Sequence, residues 1–300
     1  MKILVTGSSG FVGSALVTQL TGGGHYVVRL VRGVPNKERG DIFWDPVSAK
    51  IERARLEKLD AVVHLAGESI YGVWSGAKKE RIHKSRVAAT EFLAETIAGL
   101  TAKPRVFVSA SGVGYYGSRG EEWLQENSPA GSGFLATLCQ EWETATATIQ
   151  NAGTRVVRAR IGMAISPKGG ALQKLLPIFK LGLGGPAGNG RQYISWISTS
   201  DLARAIQFVI ENPSISGPVN CVSPEPVTNR DFTKALGSVL DRPAFLPMPG
   251  FLLNAVTGGM ARETILASQR CQPAKLLQNG FKFEYGDIEH ALQHLIGGAL

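Results

Sequence analysis

Cysteine is scarce in this sequence. Cys139, Cys221 and Cys271 are the only three in 300 residues, they lie far apart, and no C-x-x-C occurs. That excludes a disulfide framework and an ordinary zinc ligand set. His290 and His294 stand four apart, as neighbours on one helix face would. No third ligand accompanies them, so they read as a surface pair and no metal is expected. No apolar run reaches the roughly 18 residues that a membrane helix requires. The apolar part of "MKILVTGSSG" is too short for a secretory signal and passes straight into glycines. A cytoplasmic protein without a membrane partner is therefore expected. The net charge is +8, but the basic residues are scattered, with no run and no interleaved aromatics, which argues against a nucleic-acid partner. A basic balance does suit ligands that carry phosphate.

What the sequence does contain is alternation. "KILVT" (2–6) has the pattern of a short buried strand; a glycine-rich turn and a helical segment, "FVGSALVTQLTGGG", follow. "YVVRLVR" (26–32), "DAVVHLAG" (60–67), "PRVFVSAS" (104–111) and "TRVVRARIG" (154–162) read as further strands. The spacing predicts helices over 85–100 and 138–153. Strands alternating with helices of this length imply βαβ units, a mostly parallel sheet and right-handed crossovers. The fold class expected is α/β: a Rossmann-type doubly wound parallel sheet with a smaller interleaved C-terminal α/β domain. Residues 1–165 form the nucleotide-binding domain in this reading, with 195–222 returning to it. Residues 166–194 and 223–300 form the substrate or C-terminal domain. The rhythm changes after residue 165, where a short helix lies among glycine-rich loops. Helices are expected again at 200–212 and 228–240, around a strand at 217–222. A ligand cleft belongs between the two domains, outside the carboxyl ends of the strands.

"TGSSGFVG" (6–13) places Gly7, Gly10 and Gly13 after a strand and at the opening of a helix. A dinucleotide cradle needs that context: a tight turn, backbone N–H groups close to a pyrophosphate, and close helix–strand packing. The helix N-terminus adds partial positive charge where the phosphates lie. At the end of the second strand an acid would bind the ribose 2′-hydroxyl of NAD; the sequence has Arg32 in "LVRGVPNK". A guanidinium matches a 2′-phosphate in geometry and charge, so NADP is expected, with NADPH preferred over NADH.

These motifs resemble the extended short-chain dehydrogenase/reductases. T-G-x-x-G-x-x-G, "HLAG" and a serine-rich strand ending in Tyr-Gly carry the likeness. "FWDP", "HLAGESI", "VWSGAKKERIHKSRVAAT", "SGVGYYG", "GLGGPAGNGRQYISWI" and "PAKLLQNGFKFEY" narrow it to the atypical epimerase-like subfamily, which ends in a domain of unknown function. The resemblance covers essentially the whole chain. It implies that Gly7, Gly10 and Gly13, with Ser9, Phe11 and Val12 among them, hold the cofactor. It puts Arg32 at the 2′-phosphate, and Leu65, Ala66 and Gly67 beside the adenine-side ribose and pyrophosphate. It sets Arg86 near the phosphates, Ser109 and Ser111 beside the nicotinamide ribose, and Arg160, Ile161 and Gly162 at the nicotinamide end. Ser198 stands where the family pattern has a histidine.

The resemblance also implies a Tyr-x-x-x-Lys pair, in which the lysine lowers the phenol's pKa toward working pH. No tyrosine here has a lysine four residues on. Phe134 holds the tyrosine place and Leu138 the lysine place in "GFLATLCQEWE". Three readings stay open. Another acid, Tyr116 or Tyr115 with Ser111 nearby, does the work; or the protein is a non-catalytic NADP-dependent sensor or regulator; or the reaction needs no strong acid. Ser111 and Tyr116 are the candidate catalytic residues. Lys78 and Lys79 read as a solvated helix face, with Lys78 within reach of a phosphate. Trp74 reads as a buried anchor or a stacking surface, and Arg191 and Gln192 as groups that could face an anion. The expected partner is an unidentified small-molecule substrate, and a homodimer is compatible with everything above.

Overall fold

The computed structural model describes residues 1–36 and 38–297. Its centre is an eight-stranded sheet. The strands in chain order are β1 (Lys2–Thr6), β2 (Tyr26–Val31), β3 (Ile42–Asp45), β4 (Lys50–Ile51), β5 (Ala61–His64), β6 (Val106–Gly112), β7 (Arg155–Ile161) and β8 (Gly217–Cys221). In space they run β8-β7-β6-β5-β1-β2-β3-β4. Every pairing is parallel except β3 with β4. The order reverses between β1 and β5, so the crevice beyond their carboxyl ends is the natural ligand position.

The two-residue period of a strand sorts the core. Ile3, Val5 and Val108 point to one face and meet Leu16 and Leu20 of α1 (Phe11–Gly22) and Leu202 and Ile206 of the helix Thr199–Glu211. Leu4, Val62 and Phe107 point to the other face and meet Leu93 and Ile97 of α3 (Val87–Ala98). β5 is buried along its whole length, which is why it reads as an unbroken apolar run. Each fully buried Leu, Ile or Val stabilises by about 1.5–3 kcal/mol relative to exposure. A second core joins Leu172, Phe179, Trp196, Phe232, Leu236, Leu292 and Ile296 from the later helices. Leu276 and Phe281, expected in the C-terminal domain, pack into the first core beside Val219.

Two elements differ from expectation. Ile42–Asp45 forms a strand that the reading left out; it has four residues and stops before Pro46, too short for a periodicity to show. The helix expected over 138–153 begins earlier, as α4 (Phe134–Thr144), and breaks before a second piece at Ala147–Asn151. The break has a cause: the Glu143 carbonyl accepts from Thr146 Oγ1 and from Arg158 Nε, so it no longer serves a regular helix. The helix face expected at Lys78 and Lys79 belongs to α2 (Gly76–Lys84), which starts at the N-cap Ser75, whose hydroxyl accepts from the Lys78 N–H.

Candidate functional site

Two adjoining regions occupy the carboxyl edge of the sheet. The first is the turn between β1 and α1. Gly7 has φ +66°, and a Cβ there would lie 2.8 Å from the Leu65 carbonyl carbon. A Cβ on Gly13 would lie 2.1 Å from the Gly7 oxygen. Both positions therefore require glycine, and the turn, the helix and the 65–67 loop lock together. The first residues of α1 have no side-chain cap and no acid in the first turn. Their N–H groups have no hydrogen-bond partner among the described residues, as an anion site requires. Ser9 and Gly10 are exposed there, and Phe11 packs against Gly169 and Gly170. Arg32 follows β2 directly. It is exposed and makes no hydrogen bond or ion pair among the described residues.

This region is braced from behind by Thr6 and His64. Thr6 Oγ1 accepts from the Leu65 and Ala66 N–H groups, both at 3.1 Å. Its own hydrogen is then left for His64 Nδ1, at 2.7 Å. That bonding assigns the imidazole proton to Nε2, which is buried without a partner and lies among apolar groups beside Trp44. Burial pulls the His64 pKa down to about 4. Arg86, expected near the phosphates, instead braces the same loop. It lies against Gly67, stacks over Trp142 and donates to the Glu68 carbonyl at 2.8 Å.

The second region lies at the ends of β6 and β7, where the candidate catalytic residues are bonded within the protein. Ser109 and Ser111 are buried on the α4 side of the sheet. Ser111 donates to Glu143 Oε1 at 2.8 Å, so its proton is not free for a substrate oxygen. Arg160 is 3% exposed and bonds Glu143 with two nitrogens, at 2.7 and 2.9 Å. It also donates to Tyr116 Oη at 3.0 Å and to the Glu126 carbonyl, and it stacks on Tyr115. A guanidinium has five N–H groups, and four are engaged here, so Arg160 is a buried ion-pair partner of Glu143. Tyr116 is fully buried. Its hydroxyl donates to Asn220 Oδ1 at 2.7 Å, and burial pushes its pKa up despite the neighbouring Arg160. A phenol so enclosed cannot serve as the proton donor. Gly162 lets β7 turn away, since a Cβ there would lie 2.5 Å from the Ser195 oxygen.

Phe134 and Leu138 occupy the first turns of α4, as the sequence places them. Leu138 is buried, and Phe134 packs edge-on to Trp74 with ring centres 5.1 Å apart. Lys78 bonds Glu68 at 2.7 Å and is not free for a phosphate. Lys79 turns the other way, its Nζ lying 5.2 Å from the Phe134 ring. Gln192 is buried and donates to the Ala187 and Ile265 carbonyls; Arg191 alone of that pair is exposed, on an open cavity of about 390 Å³. The sequence reading missed Glu143, Glu126, Asn220 and Glu263. A signal existed for Glu143: one acid on the face of α4 that otherwise carries Leu135, Leu138, Cys139 and Trp142.

Residues 3–221 match the NAD dependent epimerase/dehydratase family, and residues 248–295 match a domain of unknown function, DUF1731. The chain belongs to the NAD dependent epimerase/dehydratase family. An epimerase family protein of Mycobacterium bovis is 44% identical over 97% of this chain and 96% of its own length. The crystal structure of the human epimerase family protein SDR39U1 with NADPH superposes with a TM-score of 0.92 at 33% identity, covering 99% of both chains. A Corynebacterium glutamicum structure described as a nucleoside-diphosphate sugar epimerase gives a TM-score of 0.82 at 40% identity, over 99% of this chain and 58% of that longer one. These matches make the chain an epimerase-like, atypical extended short-chain dehydrogenase/reductase. Among the described residues, no helix is long and apolar enough to cross a membrane, and no group of three or more metal-ligating side chains occurs.

Proposed function

We propose that this protein is an NADP(H)-binding, epimerase-like oxidoreductase acting on a small molecule without the Tyr-x-x-x-Lys pair. The observation that carries the reading is Arg32: an exposed guanidinium one residue past β2, without a partner among the described residues, as are the N–H groups at the start of α1. The Gly7–Gly13 turn would hold the pyrophosphate, Leu65–Gly67 the adenine-side ribose, and Arg32 the 2′-phosphate. The NADPH in the human relative's structure supports the same assignment. When bound, the cofactor supplies or accepts a hydride. The chain orients it, and its Thr6–His64 brace fixes the loop on which the ribose rests.

Calorimetry tests this directly. NADPH binding tighter than NADH by about tenfold or more is expected, and Arg32→Glu should abolish that preference. Absence of binding by either cofactor would overturn the proposal. A second reading, a non-catalytic NADP-dependent regulator, draws on the enclosure of Ser111 and Tyr116. A carbonyl and sugar-nucleotide screen following NADPH absorbance separates the two, because any enzymatic turnover eliminates the regulator.

A further inference from the structure

The helix Asn229–Val239 turns its apolar face inward and leaves a cationic one outside. Phe232, Ala235 and Leu236 are buried in the second core, whereas Arg230 and Lys234 are exposed four residues apart and so share a face. The chain then doubles back beside the helix. The Gly237 carbonyl accepts from the Arg242 N–H at 2.9 Å, and a Cβ on Gly237 would lie 2.6 Å from the Ala244 Cβ. Glycine there is what lets residues 242–245 approach so closely. Between the helix, this segment and Pro186 lies a cavity of about 580 Å³, lined among others by Arg230, Lys234, Arg242 and Phe245. Sites for small ligands have volumes of this order. No residue of the cofactor turn lines it, and it shares none with the cavity at Arg191.

The charge of this cavity is of one sign. Three lining residues are cations and none is an acid. Of the acids adjacent in sequence, Asp231 accepts from Thr228 Oγ1 at 2.6 Å, and Asp241 is not part of the lining. Neutral acceptors hold the two guanidiniums in place. Arg230 Nη2 donates to the Asn189 carbonyl at 3.2 Å. Arg242 donates through Nε to the Lys180 carbonyl at 3.1 Å and through Nη1 to the Asp241 carbonyl at 2.8 Å. Backbone carbonyls fix a guanidinium without neutralising it, and most of its five N–H groups stay unused here. Lys234 stands one turn from Arg230 and one turn from Gly237, to which Arg242 is tied, and makes no hydrogen bond or ion pair among the described residues. Phe245 is 73% exposed and offers a bare ring at the same cavity.

A single carboxylate would leave most of this charge uncompensated. A phosphate monoester carries nearly two negative charges and three acceptor oxygens, which suits a lysine flanked by two guanidiniums. The exposed ring adds a stacking surface for a planar group. We infer that this cavity binds a phosphomonoester bearing a planar ring, a class that includes the nucleoside monophosphates, with Lys234, Arg230 and Arg242 on the phosphate and Phe245 against the ring. The site is distinct from the cofactor turn and does not rest on the NADP reading.

The probe is phenyl phosphate, titrated by calorimetry into the full chain saturated with NADPH, so that the cofactor turn is closed to its phosphate. Inorganic phosphate and phenol present the two halves separately. Phenyl phosphate should bind at least about tenfold more tightly than either, because only it uses both the cations and the ring. Lys234→Glu should weaken it by at least about tenfold. Phe245→Ala should weaken it by about fivefold and leave inorganic phosphate within about twofold. Both substitutions change exposed side chains, so the urea midpoint and the NADPH affinity should match the parent. If Lys234→Glu fails to fold, Lys234→Gln takes its place, with a loss of about fivefold expected. Phenyl phosphate binding no tighter than inorganic phosphate, unchanged affinity in the Lys234 or the Phe245 variant, or displacement of the probe by NADPH would each overturn the inference. Failure of NADPH to bind while phenyl phosphate binds through Lys234 and Phe245 would overturn the cofactor reading and leave this site standing.

Discussion

Two adjoining regions of the sheet's carboxyl edge use the same chemical groups in opposite ways. At the β1–α1 turn, backbone N–H groups and the exposed Arg32 guanidinium have no partners among the described residues. At the ends of β6 and β7, Arg160, Glu143, Ser111, Tyr116 and Asn220 bond one another inside the protein. A polar group already satisfied by its neighbours gains little from a ligand, whereas one left with unfilled bonding capacity gains a full interaction. The first region is thus left open to a ligand, and the second is a clamp joining α4, three strands and the Glu126 carbonyl.

Breaking the clamp should have the largest effect. Glu143→Ala leaves the Arg160 charge buried without its carboxylate, and removing one partner of such a pair costs about 3–5 kcal/mol. Urea unfolding of the variant measures it; a loss below about 1 kcal/mol would mean that Arg160 relaxes to water and that the region is open after all. The brace behind the open end has a pH signature. His64 has a folded pKa of about 4 against an ordinary value of 6.5, so the unfolded chain binds more protons between those values. Stability should therefore fall as pH drops, by about 2 kcal/mol between pH 7 and pH 5, and His64→Phe should remove most of that slope. A flat profile in the parent protein would show that the imidazole is not held neutral.

The sheet was legible because its strands follow the simplest rules. "KILVT" and "AVVH" are short apolar runs between glycine and polar turns, and both form central strands. The cofactor loop was legible for the same reason: glycine positions forced by close approach leave a fixed spacing. What the sequence hid were long-range pairings. Ser111, Tyr116 and Arg160 sit at the strand ends where catalytic groups belong, and by position alone they look functional. Their engagement depends on Glu143, 17 residues before Arg160 in sequence, and on Asn220, 104 residues after Tyr116. Lys79 was hidden differently. Next to Lys78 it reads as one more surface charge, and only the fold brings Trp74 and Phe134 beneath it.

A milder test of the clamp is Tyr116→Phe. It removes the hydroxyl that links Arg160 to Asn220 and should cost about 1.5 kcal/mol of stability. NADPH affinity, measured by calorimetry on the folded variant, should stay within about twofold of the parent, because the hydroxyl is buried and bonded within the protein. A marked loss of cofactor affinity with unchanged stability would reverse the assignment and return Tyr116 to the site.

The smallest expected effect on stability sharpens the contrast most, because it compares arginine with arginine. Arg32→Ala should change unfolding free energy by no more than about 0.5 kcal/mol, since the side chain is exposed and has no partner among the described residues. The same substitution should weaken NADPH much more than NADH. If Arg32→Ala instead destabilised the fold as strongly as the loss of Glu143, Arg32 would be a structural residue. The distinction between an outward, ligand-directed guanidinium and an inward, fold-directed one would then fail at its clearest point.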